Sequence, residues 1–106
     1  MDLAAIRQRL REFAEERDWE QFHSPKNLAM ALSVETAELV EHFQWLTAAQ
    51  SRSPDAVDRR AVATEIADVQ IYLVMLADKL GVDIEGAVLD KISANAVKYP
   101  SNRPTQ

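Results

Sequence analysis

The stretch from Val62 to Leu80 cannot lie on a surface as a helix with one dry side. Val62, Ile66, Val69, Leu73, Leu76 and Leu80 recur at helical spacing, while Ile71, Val74 and Met75 fall on other sides of the same turns. A helix that is apolar nearly all round is buried nearly all round. The chain has 106 residues, enough for one domain and not two. One short domain has too little material to wrap such a helix, so a second covering surface is required, most simply another copy of the chain.

The remaining periodicity predicts three further helices. Leu3, Ile6, Leu10 and Phe13 form one apolar stripe, which predicts a helix over residues 2–17. Ser24 followed by Pro25 has the form of an N-cap with proline at the first helical position, and a second helix is expected from there to about Leu46. Ser53-Pro54 repeats that signal and is read as the start of the third helix, which ends near Leu80 with Gly81 as its C-terminal stop. Asp83 is expected to cap a fourth helix from Ile84 to about Lys98. Only two glycines are present, as suits long helices with few turns. The expected architecture is all-α, a four-helix bundle-like subunit assembled into a homo-oligomer. Residues 1–100 form the domain and residues 101–106 a loose tail.

Composition narrows the function. The net charge is −5, which argues against a nucleic-acid polymer as partner, since phosphate backbones are held by clustered Lys and Arg. There is no cysteine, which removes disulfides and zinc–thiolate sites. No apolar run approaches the ~18 residues of a membrane span. The mixed charges of the first residues do not read as a signal or transit peptide. The expected setting is the cytoplasm.

Two apolar helices carry acids where acids do not belong. In "LSVETAELVEHFQWL", Glu35 lies between Leu32 and Leu39 on the apolar face, and Glu38 flanks it. In "EIAD", Glu65 and Asp68 repeat the pattern beside Val62, Ile66 and Val69. Residues three apart on a helix have Cβ atoms about 5–6 Å apart, so each pair can converge on one small cation. A single such acid is ordinarily a boundary residue whose head reaches water. Four facing carboxylates need compensation, which hard divalent cations supply. The Glu-x-x-His pairs of a di-iron bundle are missing, because His42 follows Glu38 by four residues and the later helices have no histidine. All-oxygen ligation favours Mg²⁺, with Mn²⁺ as a possible substitute, and such ions usually keep substrate phosphates as ligands. Lys91, Asn95 and Lys98 share one stripe of the fourth helix and form a candidate phosphate clamp. Trp19 and Trp45 fit no core stripe and are candidates for stacking on a base.

Taken together, "ERDWEQFHSPKNLAMALSVETAELVEHFQW", "EIADVQIYLVMLADKLGVDI" and "KISANAVKYP" resemble the all-α nucleoside triphosphate pyrophosphohydrolases of the MazG-like superfamily, in particular the dCTP pyrophosphatase branch. The likeness covers roughly residues 3–100. It implies that Glu35, Glu38, Glu65 and Asp68 bind Mg²⁺, and that Glu35 or Glu38 orients the attacking water. It further implies that Trp19 and Trp45 sandwich the base. Tyr72, Lys91 and Asn95 would contact sugar or phosphates, with Lys98 and Tyr99 in the closing basic-Tyr-Pro motif. Leu10 departs from some vertebrate relatives, which carry a histidine there at the base pocket. The implied reaction converts dCTP or a modified dCTP to monophosphate and pyrophosphate within a homotetramer, a dimer of dimers. The alternatives are a related enzyme acting on dUTP or phosphoribosyl-ATP, and a non-catalytic helical oligomer that binds nucleotide.

Overall fold

The computed structural model describes residues 1–102, and the tail expected over 101–106 lies, from position 103 on, outside the described residues. Helix α1 is Leu3–Glu16, α2 Pro25–Glu41, α3 Ala48–Ser51, α4 Arg59–Leu80 and α5 Ile84–Lys98, with a single 3₁₀ turn at Glu20–Phe22 between α1 and α2. No strand occurs among the described residues. The architecture is all-α, as the periodicity predicts.

Local chemistry fixes most helix ends. Asp2 caps α1 by accepting from the Ala5 amide, and Ser24 caps α2 by accepting from Asn27, with Pro25 at the first turn. At the end of α4, Gly81 adopts φ +67°, and the Val82 amide donates back to the Ala77 carbonyl at 2.8 Å. This is the Schellman arrangement, in which a left-handed residue lets the last carbonyls find donors. The same bonding closes α1, where Trp19 donates to the Ala14 carbonyl at 2.9 Å past Asp18, a non-glycine residue at φ 55°.

Two expected boundaries are displaced. Helix α2 stops at Glu41 rather than Leu46: His42 and Phe43 donate three residues back, to Leu39 and Val40, so the helix tightens and ends. Thr47 then opens α3 with a reciprocal capping box to Gln50. Helix α4 starts at Arg59, not at Ser53-Pro54. Ser53 instead accepts from Ala56 at 3.1 Å, a tight turn with proline at its second position. The true cap is Asp58, whose carboxylate accepts from the amides of both Arg60 and Ala61.

The subunit is built on α2 packed along α4, with α1 set against the other end of α4. Arg11 of α1 grips Asp78 of α4 through two bonds of 2.8 and 2.5 Å. Lys79 pairs with Glu20 of the 3₁₀ turn. The fully buried core is small: Ala14, Leu28, Val74 and Ala77. Helix α5 packs extensively on neither α2 nor α4, and Val88, Leu89 and Ile92 remain exposed. The radius of gyration is 17.5 Å, against ~13 Å for a compact domain of this length.

A Cβ added at Gly81 meets nothing within 4 Å, so Gly81→Ala costs only the left-handed backbone. Chemical denaturation should show a loss of about 1–2 kcal/mol for that substitution. No loss would mean that the turn changes hand freely.

Candidate metal centre

The packing of α2 on α4 brings the two acidic motifs face to face. Glu35, Glu38 and Glu65 each offer a carboxylate oxygen, and these atoms lie within 4.8 Å of one another. All three side chains are half-buried, because each stands on the helix face turned toward the other helix. Glu35 Oε2 and Glu65 Oε2 are buried without any hydrogen-bond partner. Buried polar atoms are ordinarily satisfied, so two orphaned oxygens within one carboxylate cluster leave room for a cation as their partner.

The electrostatics agree. Burial pushes the Glu35 carboxyl above the usual glutamate range, a hydrogen bond shared with Glu38 pushes it the same way, and the charges of Glu38, Asp68 and Glu65 add to the effect. Burial and Glu38 likewise raise Glu65, as does the charge of Asp68, while His42 pulls it down. Three converging carboxylates, two of them unsatisfied, fit a hard divalent cation with oxygen ligands. Asp68 is half-buried one turn beyond Glu65 and acts on both raised glutamates through its charge, but it stands outside the group of three convergent oxygens.

The other residues singled out in the sequence are placed unevenly. Trp45 sits in the turn after α2 and is 88% exposed. Trp19 is 44% exposed and rests edge-on against Phe13, with ring centroids 5.5 Å apart. Tyr72 is half-buried on α4, one turn past Asp68. Lys91, Asn95, Lys98 and Tyr99 are all exposed along α5, where the Lys98 ammonium stands 5.3 Å from the centre of the Tyr99 ring. This chain's own packing therefore unites the carboxylates and leaves the α5 stripe apart from them.

Sequence reasoning gave no role to His42, whose Nε2 lies 3.8 Å from Glu65 Oε1. The signal was its position one turn after Glu38. The clip between Glu20 and Lys79, which ties the turn after Trp19 to α4, had no sequence signal, since the two residues lie 59 positions apart.

Comparison with known proteins points one way. A family model described as MazG-like matches residues 30–105. The chain is 48% identical over 101 residues to dCTP pyrophosphatase 1 of Rattus norvegicus, covering 92% of this chain and 59% of the relative. It is 48% identical over 104 residues to dCTP pyrophosphatase 1 of Homo sapiens, covering 94% and 60%. The chain thus spans under two thirds of the length of the curated relatives it matches. A crystal structure of a pyrophosphatase from Archaeoglobus fulgidus superposes with a TM-score of 0.81 at 43% identity, covering 89% of this chain and 88% of that one.

Raised carboxyls bind protons more readily folded than unfolded. In the metal-free protein the contribution of Glu35 and Glu65 therefore falls as pH rises from the ordinary glutamate range (about 4.3) through their raised values. Glu35→Gln stays neutral throughout. Thermal melts in EDTA should show it more stable than the parent at pH 7.5, with the gain shrinking as the pH is lowered toward that ordinary range. A lower Tm at pH 7.5 would contradict the crowding of charge described here.

Proposed function

The chain belongs to the MazG-like family, and from that premise we propose that it hydrolyses a deoxynucleoside triphosphate, dCTP or a modified dCTP, to the monophosphate and pyrophosphate. The observation that carries this reading is the pair of buried, unpartnered carboxylate oxygens of Glu35 and Glu65 beside Glu38. Relatives named dCTP pyrophosphatase and a fold neighbour named pyrophosphatase supply the reaction class.

In this reading Glu35, Glu38, Glu65 and Asp68 would hold Mg²⁺, or Mn²⁺ in its place. When bound, the ion supplies charge neutralisation for the triphosphate and Lewis acidity at the phosphate. Glu35 or Glu38 orients a water in line with the α-phosphorus and accepts its proton. The new P–O bond forms as the bond from the α-phosphorus to the α–β bridging oxygen breaks, and pyrophosphate leaves with that electron pair. Lys91 and Lys98 offset the charge on the leaving group, while Asn95, Tyr72 and Tyr99 contact sugar and phosphates. Trp19 and Trp45 stack on the base.

We also propose assembly into a homotetramer, a dimer of dimers. It is supported by the thin core, the extended subunit and the apolar side chains of α5 left in water. Assembly would cover α5 and so determine what its polar stripe faces. A cytoplasmic setting is proposed with it; no helix among the described residues is long and apolar enough to cross a membrane.

Pyrophosphate release from a panel of dNTPs and modified dCTPs with Mg²⁺ tests the reaction directly. Glu38→Gln and Asp68→Asn should each remove most of that release while circular dichroism stays unchanged. Full activity in either variant at saturating Mg²⁺ would overturn the assignment of that carboxylate. Trp45→Ala should weaken dCTP binding by ~1–3 kcal/mol and leave inorganic triphosphate nearly unaffected. An equal loss for both ligands would make Trp45 a packing residue. Light scattering at micromolar concentration should give a multiple of 11.9 kDa; a monomer would contradict the proposed assembly.

A further inference from the structure

His42 follows the last residue of α2, and its side chain reaches across to α4. Its Nε2 is 3.8 Å from Glu65 Oε1, with the two side chains 25% and 19% exposed. The pair is largely withdrawn from water, where a polar contact is less screened than on an open surface. The two oxygens of Glu65 are in different surroundings. Oε1 faces the imidazole, and Oε2 is buried without a hydrogen-bond partner, in a carboxylate that offers one oxygen within 4.8 Å of oxygens of Glu35 and Glu38.

We propose that His42 is a positioning residue for the carboxylate cluster: it engages Glu65 Oε1 and thereby holds the carboxylate so that Oε2 points at the shared centre. The inference rests on the reading of Glu35, Glu38 and Glu65 as a cation site. With a proton at Nε2, the ring is a donor facing an acceptor, and a small rotation of the Glu65 side chain closes the gap to a hydrogen bond. A carboxylate without such a tether samples several rotamers, and ordering it would oppose cation binding. Ligating carboxylates are ordinarily held by an outer partner of this kind, and loss of that partner weakens metal affinity by about 10–100-fold. The backbone role of His42 is separate. Its amide donates to the Leu39 carbonyl at the end of α2, a bond that any non-proline residue can make, so side-chain replacement leaves the helix end intact.

The distinguishing experiment is calorimetric titration of the whole, nucleotide-free protein with Mn²⁺. Parent, His42→Leu, His42→Gln, Glu65→Gln and the double variant His42→Leu/Glu65→Gln are compared. His42→Leu should bind Mn²⁺ about tenfold or more weakly, with its metal-free melt matching the parent. Glutamine places an amide donor where Nε2 stood, so His42→Gln should bind close to the parent. In the Glu65→Gln background the leucine substitution should cost nothing further, because its effect passes through Glu65.

Unchanged or tighter binding in His42→Leu overturns the inference while leaving the cation site standing; tighter binding would mean that the ring only competes with the ion for Glu65. An equal loss in both backgrounds overturns it too, since His42 would then act elsewhere. A parent protein that takes up no Mn²⁺ removes the cation site itself, and the positioning role with it.

Discussion

Carboxylates held against one another at a helix–helix seam are the constraint on which this molecule turns. Helices α2 and α4 pack along faces that are apolar over most of their length, and that burial brings Glu35, Glu38 and Glu65 together. Hydrophobic association supplies the force, and the carboxylates oppose it locally. Burial first, and then the neighbouring carboxylates, hold Glu35 and Glu65 above the ordinary glutamate range. A divalent cation would turn the same repulsion into ligation. A helix of leucines alone would pack more firmly and do nothing.

The acidic pairs were legible in the sequence because i and i+3 on one helix is a local rule. Which oxygens converge is set by the register between two helices, and no local rule states it. Hence Glu65 offers an oxygen close to those of Glu35 and Glu38, while Asp68, one turn on, stands outside that group of three and bears on Glu35 through its charge. Helix ends followed the same division. Ser24-Pro25 and Gly81 were readable because capping and left-handed stops are settled within a few residues. Ser53-Pro54 misled because the same dipeptide serves a tight turn equally well, and Asp58 offered the stronger cap five residues later. Leu46 misled because the apolar period continues through a turn in which the hydrogen bonding has already tightened. The Thr47-x-x-Gln50 box was a legible break that periodicity overrode.

The need for a covering surface was visible in a helix apolar on several sides. On that helix Ile66, Leu73 and Leu80 are indeed exposed, and α5 adds Val88, Leu89, Ile92 and Val97, which the sequence reading did not single out. Helix α5 carries Lys91, Asn95 and Lys98 as well. The same helix thus presents apolar residues in need of cover and cations suited to phosphate. What buries the one also decides what the other faces.

The two ends of α4 meet charge in different ways. Its acidic end faces α2 across half-buried carboxylates that repel one another, whereas its far end holds the buried Val74 and Ala77 and is strapped to α1 and the 3₁₀ turn by Arg11–Asp78 and Lys79–Glu20. Salt weakens attraction and repulsion alike among charges near the surface, over a Debye length of about 8–10 Å at ordinary ionic strength. It therefore slackens the strap that steadies the turn next to Trp19 and at the same time eases the repulsion among the glutamates. Ionic strength thus acts on the two ends of one helix in opposite senses.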